Sequence, residues 1–259
     1  AGLTMLRIGI AGINGRMGRE VVAAAEGLAD TAIVGGLAGP ELATRRDSAD
    51  ECSPEELLGG IDVLIDFSTP SGVEEHARAA AETHTPYVCG VTGLNQAQMT
   101  ALKQAAAATP VFYARNMSLG IAAILAFLPD LAARLDGYDA EIVEMHHRRK
   151  VDAPSGTALA LAEAVVQGRD IEPASNVVHG RSGHAPRTLG EIGIHAVRGG
   201  GNAGEHTVIF ASDGEEIRIQ HRALSRRTFA DGALQAARFI VNQPPGFYGM
   251  ADLIQRDSR

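Results

Sequence analysis

The chain has 259 residues, 23 basic and 31 acidic, for a formal net charge of −8. That length suits one large domain or two modest ones, and an apolar fraction of 45 % can build a core, which excludes a disordered chain. The acidic balance argues against broad binding to nucleic acid or an anionic membrane, and two cysteines are too few for a disulfide framework.

The opening residues, AGLTMLRIGIAG, carry no charged segment followed by a long apolar stretch and no cleavage pattern, and Met5 is a candidate initiator. No run is apolar and long enough to span a bilayer, so the expectation is a soluble, cytoplasmic protein with no membrane partner. LRIGIA (6–11) reads as a strand, and Arg16 to Leu28 as a helix with Met17, Val21, Val22, Ala25 and Leu28 on one stripe. AIVGGL (32–37) and DVLIDFS (62–68) read as strands, and SGVEEHARAAAE (71–82) as a helix. PYVCGV (86–91) is a strand that buries Cys89; Asn95 to Ala108 is a helix and VFYA (111–114) a strand. Runs apolar on both faces and joined through helices predict a parallel sheet covered on both sides. Later segments differ. Residues 140–145 alternate as a strand with one wet face does, and a helix opens near Pro154, at Ser155 or Thr157, and runs to about Val166. EHTVIFASDGEEIRIQHRAL reads as two strands around Asp213-Gly214, and Thr228 to Val241 as a last helix. The expected fold is therefore α/β: a parallel-sheet domain over 1–117, completed by 227–259, and an α+β domain with an open sheet over 118–226.

GIAGINGRMG (9–18) joins the first strand to the first helix. Glycine there permits close approach of a dinucleotide pyrophosphate, and the helix start favours its charge; close strand–helix packing is the alternative. Arg16 could add a cation. An acidic residue that would hold the ribose is missing after the second strand, where Ala38 stands and Glu41 comes late; Arg45 and Arg46 in the next loop could face a 2′-phosphate. NADH and NADPH both stay open.

EMHHRRKVDAPSGTA (144–158) packs two histidines, two arginines and a lysine into five consecutive positions of an acidic chain. A strand delivers the run, and Ser155, Gly156 and Thr157 offer N–H groups and hydroxyls at a helix start, a site for a carboxylate. His146, His147 and Lys150 stand close enough to hold a small dianion, and an imidazole can deliver a proton near neutral pH. A solvated charged loop is the alternative. A nucleic-acid patch lacks interleaved aromatics, and no cysteine or carboxylate pattern completes a metal site, so no metal is expected. His76 and His84 are expected at the surface; His179, His184, His195, His206 and His221 are expected to be strand or loop residues. Asp66 ends a strand at the expected nucleotide face or caps a turn.

The run resembles the E-x-H-H-x-x-K-x-D-x-P-S-G-T signature of the 4-hydroxy-tetrahydrodipicolinate reductase (dihydrodipicolinate reductase) family. GINGRMG, IDFSTP (65–70), GVTG (90–93), ARNMS (114–118) and GEHTVIFASDGEEIRIQHRALSRRTFADGA are similar to further family motifs in the same order. The resemblance implies a Rossmann-like domain, a substrate domain whose open sheet builds a homotetramer, and reduction of a cyclic imine dicarboxylate by NADH or NADPH in lysine biosynthesis. It implies that His146 and Lys150 exchange protons and that His147, Ser155, Gly156 and Thr157 hold the substrate. The nucleotide would contact Gly12, Ile13, Asn14, Gly15, Arg16 and Met17, then Gly90, Val91 and Thr92, then Ala114, Arg115, Asn116 and Met117; Arg226 would orient a carboxylate. The two-part organisation itself suggests that the boundary segments act as hinges. Two readings compete: a nucleotide sensor without catalysis, and another amino- or keto-acid dehydrogenase.

Overall fold

A computed structural model describes residues 5–37, 43–45, 51–52, 54–172 and 176–255. The chain forms two compact units, one from residues up to Leu119 together with those from Arg226 onward, the other Gly120–Ser225.

The first unit opens with β1 (Leu6–Ala11), α1 (Arg16–Ala25), β2 (Thr31–Leu37), β3 (Ala43–Arg45), β4 (Glu51–Cys52) and α2 (Pro54–Leu58). Then come β5 (Val63–Asp66), α3 (Pro70–Glu82), β6 (Tyr87–Cys89), α4 (Gln96–Ala105) and β7 (Pro110–Tyr113). Every residue of β5 and β6 is buried, as a parallel strand covered on both faces requires. Helix starts follow local chemistry. Pro70 takes the first position of α3, where its missing N–H costs nothing. Asn95 and Gln98 cap α4 reciprocally, with bonds of 3.0 and 2.8 Å.

The second unit holds α5 (Leu119–Arg134), β8 (Asp139–His146), α6 (Gly156–Arg169), β9 (Val177–His179), β10 (Ile192–Arg198), β11 (Glu205–Ala211) and β12 (Glu216–Arg222). Its sheet order is β12-β11-β8-β10-β9, with β11 antiparallel and β10 parallel to β8. Burial alternates strictly along β8 and β11. Ile142, Val208 and Phe210 face a core with Leu161 and Val165 of α6 and Leu128 of α5. The same phase puts Glu144, His146 and His206 on the buried face. The helix expected near Pro154 starts at Gly156, because the Ser155 side chain accepts from the Ala158 N–H and takes the cap itself, leaving Pro154 outside.

The chain then returns to the first unit as α7 (Arg227–Ile240), β13 (Gly246–Tyr248) and α8 (Met250–Ile254). The first sheet runs β13-β7-β6-β5-β1-β2-β3-β4; it is parallel from β13 to β2, and β3 and β4 pair antiparallel at the far edge. Arg45, expected in a loop, ends β3, opposite Gly35 of β2. Ala230, Ala233, Leu234, Ala237 and Ile240 of α7 enter one core with Ile8, Ile10 and Val21. Fully burying each large aliphatic side chain there contributes about 1.5–3 kcal/mol. No helix among the described residues is long and apolar enough to cross a membrane.

Candidate active site

In the first unit, β1 is flanked by β2 on one side and β5 on the other, so strand order reverses there and a crevice opens at the carboxyl ends. Four backbone bonds continue past the strands and align five strand ends: Gly12 N–H to Leu37 O, Phe67 N–H to Ala11 O, Gly90 N–H to Asp66 O and Ala114 N–H to Cys89 O, at 2.9, 3.0, 2.9 and 3.2 Å. The expected nucleotide residues thus lie on one edge of one sheet. Gly12 has φ +77°, in the left-handed region, and a Cβ there would stand 2.9 Å from Phe67 O and Ser68. A Cβ at Gly18 would stand 2.2 Å from Gly12 O, so α1 presses directly on the turn. Asn14, Gly15 and Arg16 are exposed, and no side chain caps α1. This bare helix start behind a glycine cradle that any Cβ would fill suits a dinucleotide pyrophosphate.

Asp66 supports that edge from below. Its buried carboxylate accepts from Ser68 N–H (2.7 Å), His76 Nδ1 (2.7 Å) and the Tyr87 hydroxyl (2.6 Å). The choice between nucleotide face and turn cap resolves to the cap, since the buried carboxylate is taken up by the Ser68 N–H, His76 and Tyr87. His76, expected at the surface, is buried, because it continues the stripe of Val73, Ala77 and Ala80 on α3. Burial pushes the Cys89 thiol up to about 12, leaving it unreactive. Arg115 is exposed and bonds the Tyr113 phenol, whose pKa burial raises and Arg115 partly offsets. Ala38, Glu41 and Arg46 lie outside the described residues.

In the second unit, β8 delivers Glu144 and His146 to the buried face beside the start of α6. Glu144 is fully buried, and its Oε2 lies 2.6 Å from His146 Nδ1. Arg198, from β10, grips the same carboxylate with both terminal nitrogens at 2.8 Å, and the Ser155 N–H adds a bond of 3.0 Å. Burial by itself raises the Glu144 carboxyl; Arg198, His146 and the Ser155 N–H outweigh it and hold it below its usual range. Burial lowers His146, against the pull of Glu144 in the other direction, with the Lys150 and Arg198 cations adding to the lowering. His206, from β11, lies with its ring centroid 5.1 Å from that of His146, and its Nε2 is 3.1 Å from Ser155 Oγ. Burial, then His146, depress its pKa to about 3, so it is neutral.

The loop that follows is clasped by the 199–204 turn: His147 N–H bonds Asn202 O at 2.9 Å and Gly199 N–H bonds His146 O at 2.9 Å. Arg148 and Arg149 are exposed, whereas Lys150 Nζ pairs with Asp152 Oδ1 at 2.8 Å. Of the expected site residues, His146, Ser155 and the first turn of α6 come together, with Lys150 near enough to bear on His146. Ser155 differs from expectation: its N–H and hydroxyl are engaged by Glu144, Ala158 and His206. Glu144 opens the signature run and His206 lies in a family-like segment, yet neither they nor Arg198 received a site role from the sequence. His206 carries a signal, sharing the phase of Val208 and Phe210; Arg198 carries none without the β8–β10 register, which sets it opposite His146. Arg226 falls in the first unit, at the start of α7. Among the described residues, no group of three or more His, Cys, Asp or Glu could hold a metal ion.

The matching family models and curated relatives agree on one family. Residues 6–117 match the family model "Dihydrodipicolinate reductase, N-terminus" and residues 120–254 match "Dihydrodipicolinate reductase, C-terminus". The 4-hydroxy-tetrahydrodipicolinate reductase of Granulibacter bethesdensis is 44 % identical, the match covering 96 % of this chain and 97 % of the relative. That of Thermomicrobium roseum is 45 % identical, over 96 % of this chain and all of the relative. A solved structure, dipicolinate-bound dihydrodipicolinate reductase from Paenisporosarcina sp. TG-14, aligns with a TM-score of 0.72 at 25 % identity, over 96 % of this chain and 100 % of that one. Two family halves matched in order, and identity this high across nearly the full length, mean that the chain belongs to the dihydrodipicolinate reductase family.

Proposed function

We propose that this chain reduces dihydrodipicolinate, the cyclic imine dicarboxylate derived from 4-hydroxy-tetrahydrodipicolinate, to tetrahydrodipicolinate in the diaminopimelate route to lysine. The observation that carries this reading is the buried Glu144–His146 pair, 2.6 Å apart, beside Lys150 and the start of α6. A sensor has no use for a proton-exchanging imidazole held this way, and the family match over both units disfavours a different dehydrogenase.

A bound dihydronicotinamide supplies the hydride. The chain supplies the rest. Gly12 to Met17 would take the pyrophosphate, with the Gly90–Thr92 and Ala114–Met117 turns along the same sheet edge. Gly156 and Thr157, in the first turn of α6, would face a substrate carboxylate with the positive end of the helix, and His147 and Lys150 would hold the second negative charge. Ser155 serves by fixing that helix start. Hydride addition pushes an electron pair toward the ring nitrogen or its conjugated carbon, and His146 or Lys150 neutralises it with a proton. The cofactor is NADH or NADPH; the lack of an acid at position 38 and the presence of Arg45 and Arg46 favour NADPH or dual use. The enzyme would work in the cytoplasm as a homotetramer joined through the open face of the second sheet.

The test is direct. Protein, reduced cofactor and freshly made dihydrodipicolinate are mixed and the nicotinamide absorbance followed. Turnover is expected, with kcat/KM for NADPH equal to or above that for NADH. No oxidation of either cofactor overturns the function.

A further inference from the structure

Resting on that reading, we propose that Glu144 is the positioning residue for His146: it holds the imidazole by Nδ1, so that Nε2 exchanges the proton with the substrate on the side that Gly204 leaves uncovered.

Four bonds fix the carboxylate. Oε2 takes His146 Nδ1 and Arg198 at 2.6 and 2.8 Å; Oε1 takes Arg198 and the Ser155 N–H at 2.8 and 3.0 Å. Donors come from β8, β10 and the start of α6, so the carboxylate cannot turn without breaking all of them. Arg198 also bonds Asp152 O at 2.6 Å, which anchors the guanidinium itself. An ionised carboxylate can only accept, so Nδ1 carries the hydrogen and neutral His146 has its lone pair on Nε2. A Cβ at residue 204 would stand 3.0 Å from that Nε2 and 3.4 Å from Cδ2. Glycine there keeps the reactive nitrogen accessible.

The charged and titratable groups facing this ring are Glu144 on its own strand, Arg198 on β10, Lys150 on the following loop and His206 on β11. Burial and the two cations keep His146 neutral before substrate binds. A dianionic substrate changes that balance: its charge favours a proton on Nε2, which takes one from solvent water as the ligand arrives to form the imidazolium. After hydride addition the Nε2–H bond breaks, and the proton bonds to the substrate atom bearing the displaced electron pair. His146 returns to neutral imidazole with its Nδ1–H still on Glu144.

A residue that merely glued β8, β10 and α6 together would behave differently in a double-mutant cycle. Glu144→Gln can offer an amide N–H to Nδ1 and so invert the tautomer; kcat is expected to fall about 10²–10⁴-fold with cofactor KM unchanged. In a His146→Gln background, Glu144→Gln is expected to change kcat by less than about threefold. Equal losses in both backgrounds overturn the proposal. The ring-nitrogen NMR signals of His146 in the native enzyme give a second arm that needs no folded variant: the hydrogen on Nδ1 and a bare Nε2 at neutral pH are expected, and the opposite tautomer overturns the proposal. A native enzyme that fails to turn over dihydrodipicolinate refutes the assigned reaction, while the NMR arm still decides how His146 is held.

Discussion

Acidification should destabilise the second unit through His206. The ring is buried, and among the described residues its Nδ1 has no hydrogen-bond partner. Its pKa falls to about 3, first through burial and then through His146. In the unfolded chain the ordinary value is about 6.5. Between those two values the unfolded state binds a proton that the native state refuses, so stability rises with pH and is lost as pH falls. The slope approaches ~1.4 kcal/mol per pH unit, which makes the loss from pH 7 to pH 5 about 2 kcal/mol, growing to about 4 kcal/mol at pH 3. Two kcal/mol is a large share of a typical domain's 5–15 kcal/mol. His206→Gln can keep a partner for Ser155 Oγ and cannot titrate. Urea titrations at pH 7 and pH 5, read by hydrogen exchange in the peptides of β8 and β11, report this unit by itself. Native protein should lose about 2 kcal/mol more than the variant over that interval. Equal pH dependence in the two proteins would refute the argument.

Gly18→Ala places a methyl 2.2 Å from Gly12 O, a backbone atom that cannot yield without moving the turn. Cofactor affinity, measured by calorimetry, should weaken at least about tenfold, alongside an overpacking cost of about 1–3 kcal/mol. Lys150→Ala should slow turnover by about 10²–10⁴-fold in steady-state assays. Its stability should stay within about 1 kcal/mol by urea titration, because the Asp152 partner is 59 % exposed and such pairs contribute little. Asp66→Asn leaves one of three buried donors facing an amide N–H, so thermal unfolding should report a loss of about 1–3 kcal/mol in the first unit.

How much of this was legible in the sequence depends on how local the cause is. The glycine loop can be read because its physical demand, backbone approach without a side chain, sits on adjacent residues. β5 and β6 announce themselves by being apolar on both faces. α5 does not: LGIAAILAFLPDLAAR is apolar nearly all round and holds Pro129, so no single stripe marks it. β10 begins with a glycine between isoleucines and ends in arginine, a weak strand pattern that pairing with β8 overrides. The same division runs through the site. His146 and Lys150 stand out in one charged run, whereas Arg198 is 54 residues from Glu144 along the chain and meets it only through the parallel register. His76 was misplaced because a lone histidine among alanines looks polar, although its position on the stripe of α3 places it inside.

The late return of the chain has a consequence for synthesis. The apolar inner face of β1 and α1 is sealed by α7, whose residues leave the ribosome more than two hundred positions after Ile8. Gly120–Ser225 is the first stretch to emerge with its whole core in hand, while the amino-terminal half waits with greasy surface uncovered. Premature termination before Arg226 would therefore leave an assembled second half attached to an unfinished first, a species prone to aggregate.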